Sequence, residues 1–420
     1  MTTNSWQRRL RRPLGLAVGS VIGGLLAYVF FALVTRALGA VAAAPVSVLW
    51  VWWGFAGAAL TFPLQHWITR TVTAYGGERA LRLLASRIIL VVAGTAAAAG
   101  VVSWLARDLL FARGDLAFPA LVVAVTLGSG LLGVVRGTLS ARGRLDAVGA
   151  SIAAENALRC VAAAVLYAAG VDSPVAYGAC LVVGYLAAAI WPSSLRFGRD
   201  GSPPDPGSPL ALVGGVGLGQ LLAQATLTGG PVLLAVAGGA PAEVTAIFAG
   251  LALFRAPYTL AVGLVAALTG RLTAQVVQGR WPALRRFRTL VVVAALVAAA
   301  VGAPLAAWIG PPLMSAVFGA GIRLPGDLTA VLAVGTVFAM ANLVLTILVV
   351  ARGRSAALVR GWLVGLVPGA AYFAWAGGDP LERTCWTFLV VEVSVFVWLV
   401  GEDVVSELRR SALAGGQEDR

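Results

Sequence analysis

Arg255 lies in the middle of the apolar stretch 244–269, with no acidic residue within one helical turn. An arginine there costs about 2.5–3.5 kcal/mol on insertion scales, so its position calls for a use. A guanidinium stays charged and forks onto phosphate oxygens, so the chemistry it offers is binding of a phosphorylated anion. The plainer reading is a pairing with an acid or with carbonyls of another helix. Glu155 and Arg159 stand at i and i+4 in a second apolar stretch. They can meet on one helix face and cancel each other's charge, as a structural pair or as a gate or proton-linked switch. Glu392 has no opposite charge near it in sequence and is a candidate for ion coupling. Gln220 and Gln224, one turn apart, offer amides to sugar hydroxyls or to a neighbouring helix. Gln65 and His66 close one apolar stretch, as candidates for a substrate-binding cavity or simply as markers of its cytoplasmic end. Arg36 closes another, where it snorkels to head groups or meets a phosphate. Asn342 reads as interhelical glue. Cys160, Cys180 and Cys385 fall inside apolar stretches at no metal-binding spacing, and a single histidine excludes a His-rich metal site. No catalytic residue, metal or cofactor is expected.

These side chains must be held by membrane helices. Apolar residues make up 59% of the 420-residue chain, charged residues 12%, and mean hydropathy is +0.89. A soluble domain carries about 25% charged residues. The net charge of +13 would point to nucleic acid in a soluble protein. Here its placement matters more, and no nucleic-acid partner is expected. Windows of about 20 apolar residues give twelve spans. They cover 14–35, 46–67, 84–105, 117–138, 147–169 and 174–195, then 210–236, 244–269, 289–309, 327–350, 357–376 and 384–401. The first is too long for the core of a signal peptide and reads as a retained span. With alternating spans, most arginines fall on one side, so both termini are expected in the cytoplasm. Trp50, Trp52 and Trp53 are then expected as an aromatic belt at the outer end of span 2. The polar tail is expected to be an exposed helix that frays after Leu413.

The chain also looks duplicated. Ala-Arg-Gly-Arg occurs at Ala141–Arg144 and again at Ala351–Arg354, 210 residues later. Ala80-Leu81-Arg82 and Ala283-Leu284-Arg285 each enter an apolar span, and Thr69-Arg70 is echoed by Gly270-Arg271. Three echoes in one order at nearly one offset are hard to assign to composition. Six spans (1–195), a Pro- and Gly-rich linker (196–208), six spans (209–401) and a tail (402–420) are expected. An even number of spans per half makes the halves parallel repeats, an all-α plan common among transporters.

Three segments carry a resemblance. Arg136-Gly137 through Gly143-Arg144-Leu145 and on to Glu155–Arg159 resembles a span 4–span 5 hairpin. Phe62-Pro63-Leu64-Gln65 through Arg70 resembles the end of a second span, and Thr245–Pro257, with Phe254-Arg255-Ala256-Pro257, an eighth. The family is that of the polysaccharide flippases of the multidrug/oligosaccharidyl-lipid/polysaccharide (MOP) superfamily. The resemblance implies a V-shaped transporter with two six-helix lobes related by pseudo-two-fold symmetry. It implies alternating access, with a cavity flanked mainly by the first two spans of each lobe. The cargo implied is an undecaprenyl-(pyro)phosphate-linked oligosaccharide or related cell-envelope glycolipid crossing the bacterial inner membrane. Membrane lipids and envelope glycosyltransferases or a polymerase are the implied partners. Alternatives are a drug exporter of the same superfamily, a lipid II flippase and a non-transporting membrane scaffold. An enzyme is not expected, since loops are short and no Asp-x-Asp motif occurs.

Overall fold

A chain this apolar satisfies its backbone in lipid by forming helices, because each orphaned amide in hydrocarbon costs several kcal/mol. The computed structural model describes the backbone of residues 3–203, 221–352 and 355–418, and the side chains of 15–203, 221–255, 272, 274–349, 352 and 359–405. Among the described residues there is no strand. The first elements are α1 (Thr3–Ala56), a π-helical turn (Gly57–Thr61), α2 (Phe62–Tyr75), α3 (Arg79–Leu105) and α4 (Arg107–Phe111). After them come α5 (Ala117–Ala141), α6 (Leu145–Ala168) and α7 (Pro174–Val183), the last extended by 3₁₀ turns at Gly184–Ile190 and Pro192–Leu195. Helix over 221–228 precedes α8 (Gly230–Val236), α9 (Pro241–Val277), α10 (Trp281–Phe318), α11 (Gly326–Ala351), α12 (Ser355–Trp375) and α13 (Pro380–Glu418). Six described helical stretches are long and apolar enough to cross a membrane, the first of which, Gly15–Tyr75, holds two of the apolar windows. The protein is a multi-pass, all-helical membrane protein.

Two compact units divide the chain: 1–249 with 314–323, and 250–313 with 324–420. In the first unit α1 is a hairpin. Phe30 and Trp50 would stand about 30 Å apart on a straight helix, yet their ring centroids are 5.1 Å apart. The reversal falls at Gly39, whose φ of 70° is open to glycine at little cost. Small residues then draw α1 onto α6. A Cβ on Gly19 would lie 2.2 Å from the Gly149 carbonyl oxygen, and one on Gly149 would lie 2.3 Å from that of Gly15. Such contacts replace the hydrophobic drive that helices lack inside lipid. Span 2 continues through the π turn, where the Phe62 N–H reaches back to the Gly57 carbonyl. Pro63 follows, without an N–H of its own, which disposes the helix to a wide turn at this point. Thr61 anchors that turn, its hydroxyl donating to the Ser129 carbonyl at 2.9 Å.

The second unit packs α11, α12 and α13 around Phe338, Leu345, Val391, Val395 and Leu399. A Cβ on Gly365 would lie 2.3 Å from the Val395 side chain. Two helices turn apolar side chains outward: Ile89, Leu90, Val102 and Leu105 on α3, and Leu290, Val297, Val301 and Trp308 on α10. Exposed apolar surface of this extent fits lipid.

Two local expectations are corrected. Trp50 is buried against Phe30 and Phe248, and Trp53 points to a carboxylate in the protein interior, so these two are not part of a lipid-facing belt. Spacing alone shows that they share a span end, not that neighbouring helices cover it. The tail helix runs on to Glu418, and its first turn is docked, with Asp403 only 3% exposed. Arginines on α10 and at the end of α11 hold it there.

Candidate functional site

The charged centre of the first unit is built from α5, α6 and α7. Glu155 and Arg159 face one way on α6 because they are four residues apart, and they pair as the spacing requires. Sequence spacing did not reveal a second arginine. Arg136, on α5, donates to the other Glu155 oxygen at 2.5 Å and to the Ser151 hydroxyl at 3.0 Å. The Trp53 indole N–H adds a bond to Glu155 at 3.3 Å. Arg159 is fully buried. Its guanidinium lies 4.6 Å from the Trp53 ring centroid and 5.4 Å from that of Tyr185, and its Nε donates to the Leu181 carbonyl at 3.2 Å. Two glycines make the room: a Cβ on Gly184 would lie 2.5 Å from Arg159 Nε, and one on Gly128 would lie 2.2 Å from the Tyr185 ring. One carboxylate between two guanidiniums leaves a net charge of +1, which the aromatic faces and carbonyls help to hold. Arg136 lies near the end of the apolar stretch 117–138, far from Glu155 in sequence. The signal that could have found it is its position 19 residues before Glu155 across a tight hairpin.

A groove opens at the end of span 2. Gln65, His66, Thr69, Arg70 and Thr73 lie along one side of α2, with Ser140 and Leu145 of the α5–α6 turn opposite, around a cavity of about 540 Å³. The opposite side of α2 packs Leu64, Trp67 and Ile68 into an apolar cluster with Leu81 and Leu84. The Gln65 amide donates to the Ser140 hydroxyl at 3.3 Å. The structure thus brings Gln65 and His66 together, and adds Arg70.

Arg36 lines a second cavity of about 420 Å³ with Tyr167, Ser315 and Gly319. Its guanidinium donates to the Ala316 carbonyl at 2.7 Å and to that of Val317 at 3.3 Å, at the C-terminal end of α10, where a cation suits the exposed carbonyls. Gln224 donates to the Thr228 hydroxyl at 3.0 Å and lies against Gly54 of span 2, where an added Cβ would come 2.8 Å from its amide nitrogen. Gln220 lies outside the described residues.

In the second unit Arg255 is half-buried on α9 and is not a free cation. Glu392 is fully buried on α13, and the Asn342 amide of α11 donates to its carboxylate at 2.8 Å and to its backbone carbonyl at 2.9 Å. The helix-to-helix role expected of Asn342 thus has a specific acceptor. Asp403 is shared by Arg288, at 2.8 Å, and Arg352. Among the described residues no group of three His, Cys, Asp or Glu side chains could hold a metal ion.

Outside the spans, Glu78 takes both forks of Arg142, at 2.7 and 2.9 Å, and the Gly198 N–H at 2.8 Å. The Arg142 hydrogen bonds hold the Glu78 carboxyl below the ordinary carboxylate range, against the opposing effect of burial. Arg142 is correspondingly raised by its bonds to Glu78. The start of the linker is pinned here as well: Arg79 N–H donates to the Asp200 carbonyl and Ser202 N–H to that of Tyr75, both at 2.8 Å.

No protein-family model and no curated protein matches the sequence. Solved structures do match in shape. An inward-facing conformation of a multidrug resistance MATE family transporter of the MOP superfamily aligns with a TM-score of 0.65 at 17% identity, covering 95% of this chain and 99% of that one. An outward-facing conformation of such a transporter gives 0.57 at 17% identity, covering 96% of each. A MATE protein in the straight conformation gives 0.54 at 14%, over 97% of this chain and 96% of that one. At that coverage the likeness spans the whole molecule, and the chain has the fold of the MATE transporters of the MOP superfamily.

Proposed function

We propose that this protein is an alternating-access flippase. It moves an undecaprenyl-(pyro)phosphate-linked oligosaccharide, or a related cell-envelope glycolipid, to the outer leaflet of the bacterial inner membrane, with both termini in the cytoplasm. The observation that carries the reading is the engagement of the carboxylates within the apolar spans. Glu155 is taken up by Arg136 and Arg159, and Glu392 receives the Asn342 amide. A cationic cargo needs an accessible carboxylate, whereas a phosphorylated cargo needs arginine, and Arg255 sits half-buried in the eighth span. Arg255 is the proposed phosphate ligand, with Gln220, Gln224 and Arg36 as further cavity candidates. Glu392 is the proposed coupling residue.

A second reading is favoured by the fold. Solved MATE relatives include a multidrug resistance transporter, so a drug exporter fits the same architecture. One experiment separates the two. Proteoliposomes are loaded with a labelled undecaprenyl-pyrophosphate oligosaccharide or with a cationic dye, using the wild type and Arg255→Ala. Glycolipid movement by the wild type, lost in the variant, is the expected result. Dye export without glycolipid movement overturns the flippase reading.

A further inference from the structure

The groove at the end of span 2 has a composition that the rest of the first unit lacks. It presents the chain's single histidine, one arginine, one amide and three hydroxyls, and its lining includes no carboxylate. Other buried or clamped arginines of the unit are spent on carboxylates: Arg136 and Arg159 on Glu155, and Arg142 on Glu78. Among the described residues neither His66 nor Arg70 has a hydrogen-bond or ion-pair partner. They stand at i and i+4 on α2, so both point into one concavity. Its volume of about 540 Å³ lies within the ordinary range for small-ligand sites.

We infer that this groove is a binding site for the phosphate ester of a hydroxyl-bearing head group, separate from Arg255. The division of labour follows from the hydrogen bonds. Arg70 and His66 can only improve an anion's surroundings, and Arg70 can fork onto two phosphate oxygens. The Thr69 and Thr73 hydroxyls already donate to the helix carbonyls of Gln65, at 2.8 Å, and Thr69, at 2.9 Å. Their lone pairs therefore face the groove as acceptors, which suits ligand hydroxyls and not bare phosphate. Gln65 and Ser140 share one long bond of 3.3 Å, which yields readily to a better partner. A sugar phosphate or a glycerol-type phosphate diester supplies both an anion and hydroxyl donors. The inference deepens the flippase reading, since such a head group is what a glycolipid cargo would present, but it does not depend on transport.

The test uses the purified full chain in a neutral detergent, with N-acetylglucosamine 1-phosphate as the probe and saturation-transfer NMR plus titration calorimetry as the readout. Wild type should bind, and Arg70→Gln should weaken binding roughly tenfold or more. Thr69→Val should weaken the sugar phosphate while leaving inorganic phosphate unchanged. Arg70 is exposed and holds nothing in place, so its variant should melt with the wild type. Binding unaffected by Arg70→Gln, or no binding by the wild type, overturns the site. Repeating the titration in phosphatidylglycerol and phosphatidylcholine nanodiscs identifies the source. Competition by phosphatidylglycerol alone supports the site but assigns it to a bulk lipid head group. Absence of competition supports the glycolipid cargo. Groove binding by a wild type that itself moves no glycolipid in proteoliposomes sinks the flippase reading and leaves the groove standing.

Discussion

Arg142 and Arg352, 210 residues apart in the two copies of Ala-Arg-Gly-Arg, tie the same three segments together within their own units. Arg142 joins the turn after span 4 to Glu78 before span 3, and to the Ser193 and Arg196 carbonyls at the end of span 6. Arg352 joins the turn after span 10 to Asp403 at the end of span 12, and Arg288, beside span 9, shares that carboxylate. In the first unit the acid stands before span 3, and in the second it stands after span 12.

The first prediction concerns acid. Glu78 has its carboxyl lowered from an ordinary value of 4.5, so its ionised form is favoured by folding. Its contribution is fully present above that ordinary value and is lost as pH falls through the lowered folded value. Melting temperatures of wild type and Glu78→Gln should therefore differ by a constant amount from pH 7 to about pH 5, and converge in stronger acid. A gap that widens on acidification refutes the assignment.

A second prediction follows from the crowding of charge at Glu155. Glu155→Gln leaves two guanidiniums buried without an anion, and removing one partner of a buried pair costs about 3–5 kcal/mol. Thermal melts in detergent should show a large loss of folded protein. In an Arg136→Gln background the same change should cost less, because only one cation is stranded. If Glu155 is instead a dispensable gate, the single variant will melt with the wild type and fail only in transport.

The sequence made part of this legible. Arg159 was found opposite Glu155 because helical spacing dictates their meeting, and where the chain is described the apolar windows fall on helix, except that the sixth passes into 3₁₀ turns with a break at Trp191 and the seventh breaks at Gly229. Arg136 was not, since its approach depends on how the α5–α6 hairpin closes, and its 19-residue spacing from Glu155 becomes a signal only once that closure is known. Trp53 illustrates the same limit. Its indole reads as a membrane-interface anchor until α6 places a carboxylate beside it. Asp403 looked like part of a solvated tail because hydropathy does not register two arginines waiting on α10 and α11.

Close helix contact gives a third prediction. Gly19→Leu forces a side chain into the Gly149 backbone, where even a Cβ would lie 2.2 Å from an oxygen. Overpacking typically costs 1–3 kcal/mol, and backbone against backbone has little freedom to yield. The melting temperature should fall by several degrees, while Gly94→Ala, where nothing lies within 4 Å of the added carbon, should leave it unchanged. Equal behaviour of the two variants would show that α1 and α6 are not in contact at this crossing.

Glu392 allows structure and coupling to be separated. Asn342→Leu removes the amide that donates to the buried carboxylate and should cost about 1–3 kcal/mol, measured by thermal melting. Glu392→Gln keeps an oxygen to accept from Asn342 and should lose less than about 1 kcal/mol. That variant is the informative one for transport. A glutamine cannot gain or lose a proton or hold a cation by charge. Transport by Glu392→Gln should therefore continue down a substrate gradient but no longer respond to an imposed proton or sodium gradient. If the gradient still drives uptake in a Glu392→Gln protein of normal melting temperature, the carboxylate is a helix-to-helix tie between α11 and α13, and coupling must be sought elsewhere.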